Sequence, residues 1–274
     1  MIKRLATLTL VYLVLSAHDL FVKLDSYILT PNQSAELYLF NGTFTTSENE
    51  IARDRMQQAK MIGPGDTQAL ADNQWTDRDK ATYLSFTTGE TGTYVAGVSV
   101  KPSTIELSAE DFNDYLAHDG VLDVLAERKA NQQLNQPARE QYSKHVKAIF
   151  QVGDAPSSHF REPLGFPIEF IPRQNPYTLQ QGDMLVVQLL EDGKPLANHY
   201  VYAGFSSADN HDHAHSGEGH QHDEDKIMTD AQGMIDLNLD HAGQWYLRCI
   251  RMTESKADNL DYESNWATLT FEVR

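Results

Sequence analysis

A mainly β protein, built as two immunoglobulin-like β-sandwich domains with a short helical insertion between them, is what the sequence predicts. Three observations carry that reading. Runs rich in β-branched and aromatic residues recur at a spacing of about ten residues in both halves of the chain, as antiparallel sandwiches require. Turn residues punctuate the runs, as in Thr30-Pro31-Asn32-Gln33, Gly89-Glu90-Thr91-Gly92 and Asp192-Gly193. Apolar residues at helical spacing are confined to one stretch, residues 108–136.

The chain opens with the positive segment Met1-Ile2-Lys3-Arg4, an apolar run over 5–15 and the small pair Ser16-Ala17. This is the pattern of a secretory signal peptide, and the run is too short to span a bilayer comfortably. The expectation is a signal over 1–17, cut after Ala17 or Ser16, and an exported periplasmic chain with no membrane insertion after its removal. Residues 18–107 then read as the N-terminal sandwich, with strands over 20–24, 35–40, 82–86 and 93–100 and a long polar loop over 43–60. Ser108, followed by Glu110 and Asp111, reads as a helix cap with acids at the positive end of the helix. It opens a helical linker region over 108–155, within which 146–152 favours strand. Residues 156–274 read as the C-terminal immunoglobulin-like sandwich, in which Asp192-Gly193 marks a hairpin.

The formal charge is −17, and loss of Lys3 and Arg4 with the signal takes it to −19. That balance argues against nucleic acid or an anionic membrane surface as partner. Cys249 is the only cysteine, so no intramolecular disulfide forms despite the oxidising compartment, and its apolar strand setting reads as core. Motifs of nucleophilic or metalloprotease catalysis, G-x-S-x-G and H-E-x-x-H, are absent, and a non-enzymatic protein is expected.

The most informative stretch is the loop over 211–225 in the C-terminal sandwich. Of the chain's 11 histidines, His211, His213, His215, His220 and His222 fall here among small residues and acids. Such a tract has little apolar surface to offset the entropy of ordering, but it offers many neutral imidazoles to borderline metals such as Ni, Co, Zn or Cu. Asp209, Asp212 and residues 223–225 could add oxygen ligands. A flexible chelator suits capture and exchange better than a closed structural zinc site does. His18 is the other candidate: cleavage after Ala17 would present its α-amine and imidazole to one ion. His118, His145, His159, His199 and His241 are scattered, and His199, at the start of the strand leading to the tract, is the best of them.

Several phrases are similar to one known family. They include Ala17-His18-Asp19-Leu20-Phe21, Arg139-Glu140-Gln141-Tyr142-Ser143-Lys144-His145, Gly165-Phe166-Pro167-Ile168-Glu169-Phe170, Gly243-Gln244-Trp245-Tyr246-Leu247-Arg248 and Tyr262-Glu263-Ser264-Asn265-Trp266. The mature chain thereby resembles the DUF4198 family, bacterial periplasmic proteins often labelled NikM-type nickel or cobalt transport components. The resemblance implies a metal ion as ligand and a membrane metal transporter as partner. The rival expectations are a non-catalytic envelope module that docks to a transporter with the tract incidental, and a copper redox enzyme built on His18.

Overall fold

A computed structural model describes residues 18–65, 67–206 and 224–274. The signal segment and the five tract histidines lie outside the described residues. Among the described residues, no helix is long and apolar enough to cross a membrane.

The architecture is mainly β, as the strand pattern predicts, and it is organised around one strand. Ala138–Val152, 15 residues long, lies within a ten-stranded sheet. It runs parallel to Tyr262–Val273 on one side (Lys144 opposite Trp266) and antiparallel to Gly92–Val100 on the other (Ile149 opposite Val95). Alternate side chains of a strand point to opposite faces. Val146, Ala148, Phe150 and Val152 enter one core with Leu20, Val22, Leu39 and Leu84, whereas Ile149 enters another with Phe170, Leu189, Leu247 and Leu269. Burial on both faces explains why this strand lacks the apolar–polar alternation of a half-exposed one.

Two smaller sheets cover the large one. A five-stranded sheet contains Asp19–Lys23, Ser34–Gly42, Ala81–Thr87 and Trp75–Arg78 in that order, with Ser47–Asn49 on the second strand. A four-stranded sheet contains Ile168–Pro172, Met184–Glu191, Lys194–Pro195 and Met234–Asn238. Asp192 and Gly193 both take positive φ, 50° and 72°, the requirement of the tight hairpin turn that Asp-Gly predicts. The long loop expected over 43–60 is corrected: Ser47–Asn49 and Met56–Ile62 are strands, the latter paired with Gly92–Val100. Its polar side chains face outward while Met61 faces the core, so its composition concealed it.

Helix α1 (Ala109–His118) begins as expected, with the Ser108 hydroxyl accepting the Asp111 amide at 3.1 Å. Helix α2 (Leu122–Ala130) follows after a turn at Gly120. There φ is +81°, and a Cβ would lie 2.3 to 2.5 Å from the Tyr202 ring, so only glycine fits. Phe112, Tyr115, Leu116, Val121 and Val124 pack onto Ile250, Met252, Tyr262 and Trp266, closing a third core over the end of the large sheet. Arg128, buried, ties the pair of helices together through the Asn113 side chain and the carbonyls of Gln133 and Gln136.

Across the second core runs one ion pair. Lys147 Nζ donates to Glu169 Oε2 at 3.0 Å and to the Phe170 carbonyl at 2.9 Å. Glu169 also accepts the amides of Leu164 and Gly165, each at 2.9 Å.

Candidate functional site

The N-terminal strand Asp19–Lys23 is held against the large sheet by side chains. Thr268 Oγ1 donates to the Leu20 carbonyl at 2.8 Å and Thr270 Oγ1 to the Val22 carbonyl at 2.6 Å. Phe21 packs edge-on against Phe44 and Tyr246, with ring centroids 5.3 Å away in each case. These contacts fix where the preceding residue, His18, sits. Its Nε2 lies 3.1 Å from Glu48 Oε2, and Lys144 Nζ donates to its carbonyl. When Nε2–H is donated to Glu48, the ring lone pair resides on Nδ1, the nitrogen that forms a chelate with the residue's own backbone nitrogen.

Beneath His18 lies a cluster of charges from four segments remote in sequence. Arg248 Nε and Nη2 donate to the two oxygens of Glu224, at 2.8 and 2.5 Å, and Nη1 donates to the Asp119 carbonyl at 3.1 Å. The same guanidinium is 3.6 Å from Asp19 Oδ2, and Tyr246 Oη donates to Glu224 Oε1 at 2.8 Å. Arg248 therefore joins the carboxylate next to His18 with the carboxylate that follows residue 223. Burial pushes the Asp19 carboxyl up to about 6, although Arg248 opposes the shift. Burial also lowers Lys144 to about 8, partly offset by Asp19 and Asp119, where its ammonium stands over the Trp266 ring at 4.9 Å. Glu140, bonded by Ser264 Oγ and Tyr115 Oη, is pushed up to about 7 by burial despite those bonds.

His118 stands at the cluster's edge, its Nδ1 2.8 Å from Asp119 Oδ1, and that bond raises its pKa above the ordinary histidine value. Perturbed titratable groups gathered in this way make the cluster a candidate functional site. The acids Asp19, Asp119, Glu140, Glu224 and Glu48 are thus gathered with the bases Arg248, Lys144 and Arg55 at one place.

The family described as "Domain of unknown function (DUF4198)" matches residues 15–253. The chain belongs to the DUF4198 family. No curated protein matches it. Among solved structures, the D0-D1 domain of Intimin is 9% identical over 93% of this chain and 98% of that one, with a TM-score of 0.23. The Yersinia pseudotuberculosis adhesin InvE is 13% identical over 92% of this chain and 58% of that one, with a TM-score of 0.22. At such scores the architecture rests on this chain's own strands.

In this DUF4198 chain the sequence-predicted histidines separate into distinct environments. His18 joins the charge cluster, and His211, His213, His215, His220 and His222 lie outside the described residues, bordered by Ser206 and Glu224. His145 is buried between Ser99 Oγ at 2.9 Å and Asn265 Oδ1 at 3.0 Å, a satisfied core imidazole. His159 bonds Ser157 Oγ at 2.8 Å, and His241 stacks on Phe205 with centroids 3.9 Å apart. Cys249 is buried, with its thiol pushed up by burial, as its strand setting predicted. Among the described residues, no group of three or more His, Cys, Asp or Glu is arranged to hold a metal ion. Sequence reading overlooked Asp19, Asp119, Glu140, Lys144 and Arg248. The available signal was a charge inside an apolar strand, Arg248 within Trp245-Tyr246-Leu247-Arg248-Cys249-Ile250.

Proposed function

We propose that this chain is an exported, non-enzymatic protein that binds a divalent transition metal (Ni, Co, Zn or Cu) and exchanges it with a membrane transporter. One observation carries the reading: Arg248 bridges Asp19, the neighbour of His18, and Glu224, the first described residue after the histidine tract. His18 and the first described residue after the tract are thereby joined through one cluster of charges, in a chain whose net charge of −17 favours cations. Glu48 adds support, because a carboxylate accepting the second ring N–H of an imidazole orients a metal-binding histidine and raises its basicity. Cleavage after Ala17 would add the α-amine of His18 as a ligand, and the tract would supply exchangeable imidazoles.

Titration calorimetry of the mature chain with Ni, Co, Zn and Cu tests this, beside a variant lacking residues 211–222 and a His18→Ala variant. The expected result is metal binding whose stoichiometry falls on deletion of the tract and whose tightest component weakens in His18→Ala. Absence of binding, or binding indifferent to both changes, overturns the proposal.

A further inference from the structure

A cavity of about 140 Å³ opens where the two large cores meet, at the C-terminal end of the central strand Ala138–Val152. Tyr177, which packs against both cores, forms one wall, and its Oη donates to the Ile149 carbonyl at 2.5 Å. Main-chain bonds fix the walls: the Asn175 side chain accepts the Tyr177 amide at 3.0 Å, and the Gly153 amide donates to the Leu29 carbonyl at 2.8 Å. Preformed clefts between packed units are the usual places for small ligands.

The lining has two characters. Ile28, Pro156, Pro176 and Leu179 are apolar, whereas Asp154, Glu272 and Arg274 bring both signs of charge. Glu272 Oε2 accepts the Tyr27 amide at 3.2 Å, and the Gln181 amide holds the Arg274 carbonyl at 3.0 Å. Among the described residues, neither the Arg274 guanidinium nor the Asp154 carboxylate has a hydrogen bond or ion pair, so both are available to a ligand. None of these residues belongs to the Arg248 cluster.

Size and charge select the ligand. At about 10–15 Å³ for each water-sized atom, the cavity takes roughly ten non-hydrogen atoms, too few for a nucleotide or an oligosaccharide. An anion would meet Asp154 and Glu272, and a simple cation would meet Arg274. A zwitterion suits both, because a guanidinium fork matches a carboxylate and the acids match an ammonium. The geometry points to a binding site for a free α-amino acid with an aliphatic side chain. Its carboxylate lies on Arg274, its ammonium on Asp154 and Glu272, and its side chain against Ile28, Pro176 and Leu179.

Calorimetric titration of the full chain with leucine tests the site, beside isocaproate, which lacks the ammonium, and leucinamide, which lacks the carboxylate. Leucine should bind saturably, and each analogue should bind roughly tenfold more weakly or worse, because each loses a charge-assisted interaction. Arg274 is exposed, so Arg274→Gln should weaken leucine by a similar factor while leaving the urea midpoint unchanged. The amide resonances of Gly153 and Tyr177 should move as leucine binds. A chain lacking residues 211–222 should bind leucine as the full chain does, so the site stands or falls apart from the proposed function. No saturable binding up to about 10 mM, a leucinamide that binds as tightly, or an Arg274→Gln chain of unchanged affinity would overturn the proposal.

Discussion

Replacing Lys147 with methionine removes the cation from the buried pair that joins the central strand to Ile168–Pro172. Lys147 and Glu169 side chains are only 1% and 2% exposed, so water cannot take over the solvation of the carboxylate. Burial pushes the Lys147 ammonium below the usual lysine range even with Glu169 beside it, so the intact pair contributes little net stability. Breaking it is different, because an unpaired buried charge costs about 3–5 kcal/mol. The upper end does not apply, since Glu169 keeps the Leu164 and Gly165 amides, which leaves an expected loss of about 3 kcal/mol. With a urea m-value of about 3 kcal/mol/M for a chain of this size, the unfolding midpoint should fall by about 1 M. An amide in place of the carboxylate needs no counter-ion, so Lys147→Met/Glu169→Gln should recover part of the loss. Urea unfolding followed by tryptophan fluorescence reads these midpoints. A double variant no better than the single would refute the unpaired-charge argument and leave lost packing as the cause.

Arg248→Lys should lower stability by about 2 kcal/mol, read as a lower calorimetric Tm, because an ammonium cannot hold both Glu224 oxygens and reach Asp19. Gly120→Ala should cost about 1–3 kcal/mol in urea unfolding, and adding Tyr202→Ala should relieve the clash but not the left-handed strain. The raised Glu140 carboxyl stabilises the fold at acid pH, and that contribution is lost as pH rises through about 7. Glu140→Gln should flatten the midpoint-versus-pH curve between about pH 4.5 and 7, by no more than about 3 kcal/mol in total. His145 and His199, both lowered by burial, act in the opposite sense: their contribution is present above the ordinary histidine pKa and is lost as pH falls, so His145→Gln should gain relative stability in acid.

The elements legible in the sequence were those whose signal is local. The capped start of α1 needs only Ser108, Glu110 and Asp111, and the Asp192-Gly193 turn declares its own backbone. Met56–Ile62 was hidden because only Met61 of its seven residues is fully buried and Gln57, Gln58 and Lys60 give it a polar composition. The charge cluster was hidden for another reason. Asp19, Asp119, Lys144, Glu224 and Arg248 meet only through pairings such as Lys144 with Trp266 and Arg248 with Thr268, and no periodicity encodes which strands adjoin. Apart from Arg248 in its apolar strand, each residue alone reads as an ordinary surface charge. His18 was found from chain processing, and Glu48 beside it could not have been, since a side-chain contact across a sheet leaves no mark in spacing.

The parallel pairing of Ala138–Val152 with Tyr262–Val273 also sets a timetable for biogenesis. The chain is made from its N-terminus, so the strand that walls both cores waits for a neighbour more than a hundred residues downstream. Until residues 262–273 arrive, one edge of that strand has no partner, and the core around Ile149 lacks Ala267, Leu269, Phe271 and Val273. A chain shortened by residues 262–274 is therefore expected to be cleared by proteases rather than to accumulate as a half-protein. The last strand completes the quality check on all that precedes it.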